Sequence, residues 1–135
     1  MAGANLETIK ILAVEDHPDT RALLKRFLEN SGAEVMAMES GWAALEEIQK
    51  YNPDVLICDI GMPGMDGYQL LEKIRNLGLE ISSLPAIACT AFTSGEDVRR
   101  ALEVGFQAHV AKPLDPDKLV RTIIEVIHAR SGNRN

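Results

Sequence analysis

Basic residues, cysteines and long apolar runs are all scarce in this sequence, and each scarcity removes a class of function. Lys and Arg number 14 against 20 Asp and Glu, a formal net charge of −6. Nucleic-acid binding is not expected, because phosphate contacts need clustered cations. There are 2 cysteines, Cys58 and Cys89, too few for a disulfide framework or a zinc site of their own. A reducing, cytoplasmic setting is the simplest reading. The apolar stretches have strand length, so no segment is expected to span a bilayer. Met1 to Asn5 lacks the basic-then-apolar pattern of a secretion signal. No repeat, low-complexity tract or linker is evident. A chain of 135 residues, 46% hydrophobic and 25% charged, suits one domain. Residues 1–135 are expected to form that domain, with a core over about 9–129 and short flexible tails.

What is present alternates. Ile9 to Val14, Asp54 to Cys58 and Pro85 to Cys89 are short continuous apolar runs, as expected of strands buried on both faces. Ala33 to Met38, entered through Gly32, and Ala108 to Ala111 read as two more strands. Between them, apolar residues recur at helical spacing. Leu23, Leu24, Phe27 and Leu28 come after Pro18, a plausible helix start. Leu45 and Ile48 precede a stop at Asn52-Pro53. Leu70, Leu71, Ile74 and Leu77 precede Gly78, and Val98, Ala101 and Leu102 precede Gly105. Leu119, Val120, Ile123, Ile124 and Ile127 mark a final helix, with Ser131 to Asn135 as a frayed tail. Five strands alternating with five helices imply an α/β domain with a doubly wound parallel sheet. The fourth helix has the thinnest apolar face and several charges, so it is expected to move most easily.

In such sheets the site lies beyond the carboxyl ends of the strands. The first strand delivers Glu15 and Asp16, the third Asp59, the fourth Thr90 and the fifth Lys112-Pro113. Any one of these would ordinarily be a loop residue, because loops are wet. Asp16 alone could open a turn before Pro18, and Thr90 alone could cap a loop. The signal is that they gather at one end of four strands. Two carboxylates about 4 Å apart repel by roughly 4 kcal/mol at an effective dielectric near 20. Three need compensation, which Lys112 and a hard divalent cation such as Mg²⁺ can supply. A carboxylate beside a cation and an ammonium is suited to attack phosphorus and form an acyl phosphate.

The chain resembles the receiver domains of bacterial two-component response regulators. The resemblance rests on Val14-Glu15-Asp16-His17-Pro18, on Asp59-Ile60-Gly61-Met62-Pro63-Gly64-Met65-Asp66-Gly67, on Thr90-Ala91 and on Lys112-Pro113, in that order over about 9–129. It implies a flavodoxin-like sheet of order 2-1-3-4-5. It further implies that Asp59 is the phosphoacceptor, that Asp16, Asp59 and the Gly61 backbone carbonyl bind Mg²⁺, and that Glu15 holds the metal through water. Thr90 and Lys112 would each meet a phosphoryl oxygen, and the Lys112-Pro113 bond would be cis. The phosphodonor would be a histidine kinase or a phosphotransfer protein. A downstream protein partner would read the fourth helix, fifth strand and fifth helix, and a homodimer through the fourth and fifth helices is compatible with this. The domain would assist its own phosphorylation without being a turnover enzyme. About twenty residues lie beyond Lys112-Pro113, so no output domain is expected; a stand-alone regulator and a hybrid-kinase receiver both remain open.

Some positions depart from the family pattern. Glu15 stands where many members have Asp. His109 occupies the place of a switching Tyr or Phe, and reads either as that switch or as a half-buried strand histidine. Gly61 and Phe92 occupy positions that tune dephosphorylation. Cys58 and Cys89 read as small buried groups, with a redox pair as the alternative. Trp42 reads as packing, Met62 and Met65 as loop packing with an exposed partner surface as the alternative, and His17 as a helix-start residue rather than a metal ligand. Three other functions fit less well. An aspartate-nucleophile phosphohydrolase would need a general acid where Gly61 stands. A phosphate-independent binding module would not need the full acid set. A flavin binder would be repelled by Glu15-Asp16 where its phosphate should sit.

Overall fold

Five parallel strands form the centre of the molecule: β1 (Lys10–Val14), β2 (Glu34–Met38), β3 (Val55–Asp59), β4 (Ala86–Thr90) and β5 (Ala108–Ala111). Their spatial order is β2-β1-β3-β4-β5, in agreement with the expected order. The computed structural model describes residues 5–78, 81–91 and 94–133. Five helices alternate with the strands: α1 (Pro18–Asn30), α2 (Gly41–Tyr51), α3 (Gly67–Arg75), α4 (Gly95–Val104) and α5 (Pro116–Asn133). A 3-10 turn, Ile81–Ser83, precedes β4.

The period-two alternation of strand side chains divides the core in two. Leu12, Leu56, Cys58, Ala86 and Ala88 pack on one face with residues of α2, α3 and α4. Ile11, Val55, Ile57, Ile87 and Cys89 pack on the other with α1 and α5. Every residue of β3 and β4 is buried, which is why those strands read as unbroken apolar runs.

Helix starts obey local chemistry. His17 caps α1, its Nδ1 accepting from the Thr20 amide at 3.4 Å, with Pro18 in the first turn. Asp66 and Gln69 form a reciprocal capping box at α3. Ser40 and Ser94 cap α2 and α4.

Three expectations shift. Asp59 and Thr90 are the last residues of β3 and β4, not the first residues beyond them. The hydrogen-bond ladder continues one residue past the apolar run. Trp42 is 61% exposed. Gly41, Ala44 and Ile48 form the buried stripe of α2, and Trp42 lies off that stripe, with the Lys73 ammonium 5.9 Å from its ring centroid. The final helix runs through Ser131, Gly132 and Asn133; a lone Gly in a helix costs only about 1 kcal/mol. Arg134 and Asn135 of the expected tail, Met1 to Ala4, and Phe92 lie outside the described residues.

α4 is thin, as expected. Ala101 is its buried residue. Half-buried Val104 packs against the same core, and the remaining attachments of α4 are polar or cation–aromatic. The Arg100 guanidinium lies 4.1 Å from the Tyr68 ring centroid, and the Tyr68 hydroxyl donates to the Asp97 carbonyl at 3.4 Å. At the far end, Arg75 donates to the carbonyls of Leu84 and Gly105, both at 2.7 Å.

Candidate functional site

Parallel strands all end at the same edge, so the residues that leave β1, β3, β4 and β5 meet there. Glu15 and Asp16 come directly after Val14. The Glu15 amide donates to the Met38 carbonyl at 3.0 Å, which extends the sheet by one bond. Asp59 ends β3 beside β1. One carboxylate oxygen each of Glu15, Asp16 and Asp59 lie within 4.8 Å of one another. The loop after Asp59 turns back sharply. Gly67 permits this: a Cβ there would stand 2.7 Å from the Asp59 carbonyl oxygen and 2.9 Å from the Ile60 Cα, and its amide donates to the Ile60 carbonyl. Met62 and Met65 are buried in that loop, as read from the sequence. The Gly61 amide donates to Asp59 Oδ1 at 3.3 Å.

Lys112 supplies the opposite charge. Its Nζ lies 2.7 Å from Glu15 Oε1 and 3.4 Å from Asp59 Oδ2. Glu15 Oε2 accepts from the His17 amide at 3.1 Å. Both oxygens of this almost fully buried carboxylate are therefore bonded. Burial nevertheless raises the Glu15 pKa, more than the Lys112 and His17 hydrogen bonds lower it. Burial alone would lower the Lys112 pKa, but its hydrogen bond to Glu15 and the nearby Asp59 charge outweigh this and raise it. The ammonium thus stays charged among the acids.

Thr90 is buried at the end of β4, and its carbonyl accepts from the Lys112 amide at 3.0 Å. That bond carries the chain from β5 back to the site. The Lys112-Pro113 bond is cis, as expected. His109 pairs with Ala88 across β4 and β5, on the sheet face that α4 helps to cover. It is half-buried.

The cysteines lie on opposite sheet faces. Cys58 pairs with Ala88, and Cys89 with Asp59. Cys58 packs with α2, α3 and α4, and Cys89 with α1 and α5. The sheet separates the thiols, which removes the redox-pair alternative. Burial pushes the Cys89 pKa up to about 12, and that of Cys58 well above the ordinary value.

Arg21 is a contributor that sequence reasoning missed. Its Nη1 donates to the Glu15 carbonyl at 3.0 Å and the Asp16 carbonyl at 3.3 Å. The available signal was electrostatic: a cation near a helix N-terminus opposes the helix dipole, so it needs another partner.

Three carboxylates with one ammonium form a group of hard oxygen donors with residual negative charge. That chemistry fits Mg²⁺. No helix among the described residues is long and apolar enough to cross a membrane.

Comparisons with known proteins agree with this geometry. The response regulator receiver domain family matches residues 11–124. An uncharacterized 14.6 kDa protein of Leptolyngbya boryana is 41% identical over 118 residues, covering 87% of this chain and 89% of that protein. The sensor histidine kinase RcsC of Escherichia coli (strain K12) is 37% identical over 117 residues, 87% of this chain. The chain spans only 12% of that kinase's length. Among solved structures, the chemotaxis protein CheY4 of Vibrio cholerae matches with a TM-score of 0.82 at 31% identity. That match covers 93% of this chain and 99% of CheY4.

Proposed function

This chain belongs to the response regulator receiver domain family of two-component signalling, and from that premise we propose that Asp59 is its phosphoacceptor. The family is one of signalling domains, not of substrate-turnover enzymes. The observation that carries the proposal is the convergence of Glu15, Asp16 and Asp59 at one sheet edge, with Lys112 reaching Glu15 and Asp59.

A histidine kinase or phosphotransfer protein is the donor. An Asp59 carboxylate oxygen bonds to phosphorus as the phosphorus–nitrogen bond of the donor's phosphohistidine breaks. The electron pair returns to the imidazole nitrogen, which takes up a proton. Glu15, Asp16, Asp59 and the Gly61 carbonyl would hold Mg²⁺, which when bound neutralises charge on the transferring oxygens. Lys112 exchanges part of its contact with Glu15 for a phosphoryl oxygen. The hydroxyl of Thr90 takes another.

The new charge then redistributes the contacts of Thr90 and Lys112. The loop after β4, α4 and His109 respond, because α4 carries so little buried surface. A protein partner, or a second copy through α4 and α5, reads the changed α4-β5-α5 face. The unit of function is the single domain of 1–135. Whether it stands alone or serves within a hybrid kinase, the chemistry at Asp59 is the same.

The test is intact mass after incubation with acetyl phosphate and Mg²⁺. One phosphoryl adduct is expected, absent in Asp59→Asn and absent with EDTA. An adduct that persists in Asp59→Asn would overturn the assignment. Absence of any adduct, together with no NMR response to beryllofluoride, would favour a phosphate-independent binding module.

A further inference from the structure

β1 ends at Val14, and the carbonyls of Glu15 and Asp16 lie past its ladder. Backbone acceptors near a buried site need partners. Both find the same one, Nη1 of Arg21, at 3.0 and 3.3 Å. Arg21 is itself rooted in α1, where its amide donates to the His17 carbonyl at 2.9 Å. The turn from β1 to α1 is tied from a second direction, because the His17 amide donates to Glu15 Oε2 at 3.1 Å. The peptide groups that carry two of the three acids are thereby fastened to the first turns of α1.

The placement of Arg21 works against two physical preferences. A cation near the N-terminus of a helix opposes the helix dipole. A cation beside a prospective metal site repels the metal by charge alone. Its long side chain also gives up rotamer freedom to stay there. What it gains is a charge-assisted bond to each carbonyl.

We infer that Arg21 is a positioning residue. It holds the Glu15 and Asp16 peptide groups so that their carboxylates enter the acidic group, and this outweighs its repulsion of an incoming cation. The inference rests on the receiver-site reading of that group. It gives Arg21 a role toward Mg²⁺ although Arg21 does not ligate it, as an outer residue that orients the ligands.

Two roles for Arg21 predict opposite signs. If it acts only as a nearby positive charge, removing it tightens Mg²⁺ binding. If it positions the acids, removing it weakens Mg²⁺ binding, by roughly 10-fold or more, as is usual for residues that orient metal ligands. A merely structural Arg21 lowers the melting temperature without Mg²⁺ and leaves the affinity of the folded protein unchanged.

The experiment is a Mg²⁺ titration of the full chain by calorimetry and amide NMR. Wild type, Arg21→Ala and Arg21→Lys are compared at a temperature where all give folded spectra. Arg21→Gln replaces the alanine variant if the latter does not fold. The expected result is weaker binding in Arg21→Ala and partial recovery in Arg21→Lys, which keeps a charged donor. Unchanged or tighter binding in Arg21→Ala or Arg21→Gln overturns the inference. The wild-type arm tests the underlying reading separately: failure of wild type to bind Mg²⁺ overturns the receiver site, and the role of Arg21 with it.

Discussion

Glu15 is a carboxylate out of water with an ammonium 2.7 Å away, and its energetics depend on that neighbour. Removing one partner of a buried pair costs about 3–5 kcal/mol, because the other charge is left uncompensated. Lys112 is 22% exposed, which places the cost near the lower end. Lys112→Met is expected to lower stability by about 3 kcal/mol at pH 7. The loss should shrink near pH 4, because burial already raises the Glu15 pKa and a proton on that carboxyl leaves one charge fewer uncompensated. Urea unfolding of both proteins at the two pH values measures this. The cysteines give a second prediction, on the alkaline side. An unfolded thiol ionises near pH 9, whereas the folded Cys89 holds its proton until about 12. The folded state therefore binds more protons above pH 9, so stability present below that pH is lost as the pH rises toward 12. Cys58 acts in the same direction. Replacing both by alanine should flatten the fall in unfolding free energy above pH 9. Neither thiol of the folded wild type should react with iodoacetamide at pH 8.

Among the elements, α4 differs in how it is held. One buried alanine and the half-buried Val104 are its apolar anchors, and the Tyr68 ring and hydroxyl and the Arg75 guanidinium add polar fastenings. Amide hydrogen exchange is expected to be faster in α4 than in α3, which buries five residues. Tyr68→Ala should accelerate exchange across α4 more than across α1, which packs on the opposite sheet face. A uniform increase in both would count against a local fastening. The sequence is most legible at this scale. Ile57 and Ile87 lie in runs that are apolar on both faces, and only a central strand has that environment. The boundaries differ by one residue at Asp59 and Thr90 because composition marks the end of burial, not the end of hydrogen bonding. Trp42 departs from its expected packing for a related reason: the buried face of α2 includes a glycine, whose contribution hydropathy does not register. Arg21 leaves only a faint trace, since a side chain reaching two carbonyls depends on the path of a loop. Asp16, Asp59 and Lys112, by contrast, are legible together, because each succeeds or ends a strand and parallel strands share an edge.

For the whole molecule, the acidic group couples stability to a ligand. A cation that binds the folded state, where the carboxylates are assembled, and not the unfolded chain adds stability by mass action, about 2.7 kcal/mol at a hundred times its dissociation constant. Thermal unfolding should thus shift upward with Mg²⁺, saturably, and the shift should be absent in Asp16→Asn. Monovalent salt at equal ionic strength should not reproduce it. A rise of the same size in Asp16→Asn would mean that the cation acts elsewhere on this acidic surface.

The strand order has a consequence for how the molecule is made. Chain synthesis delivers Glu15 and Asp16 first, then Asp59, and Lys112 only after β5. A nascent chain halted before β5 would hold three mutually repelling acids and no ammonium to reconcile them. On the proposed reading of Asp59, competence to take a phosphoryl group then waits for β5, so that a modified Asp59 would certify a completed sheet.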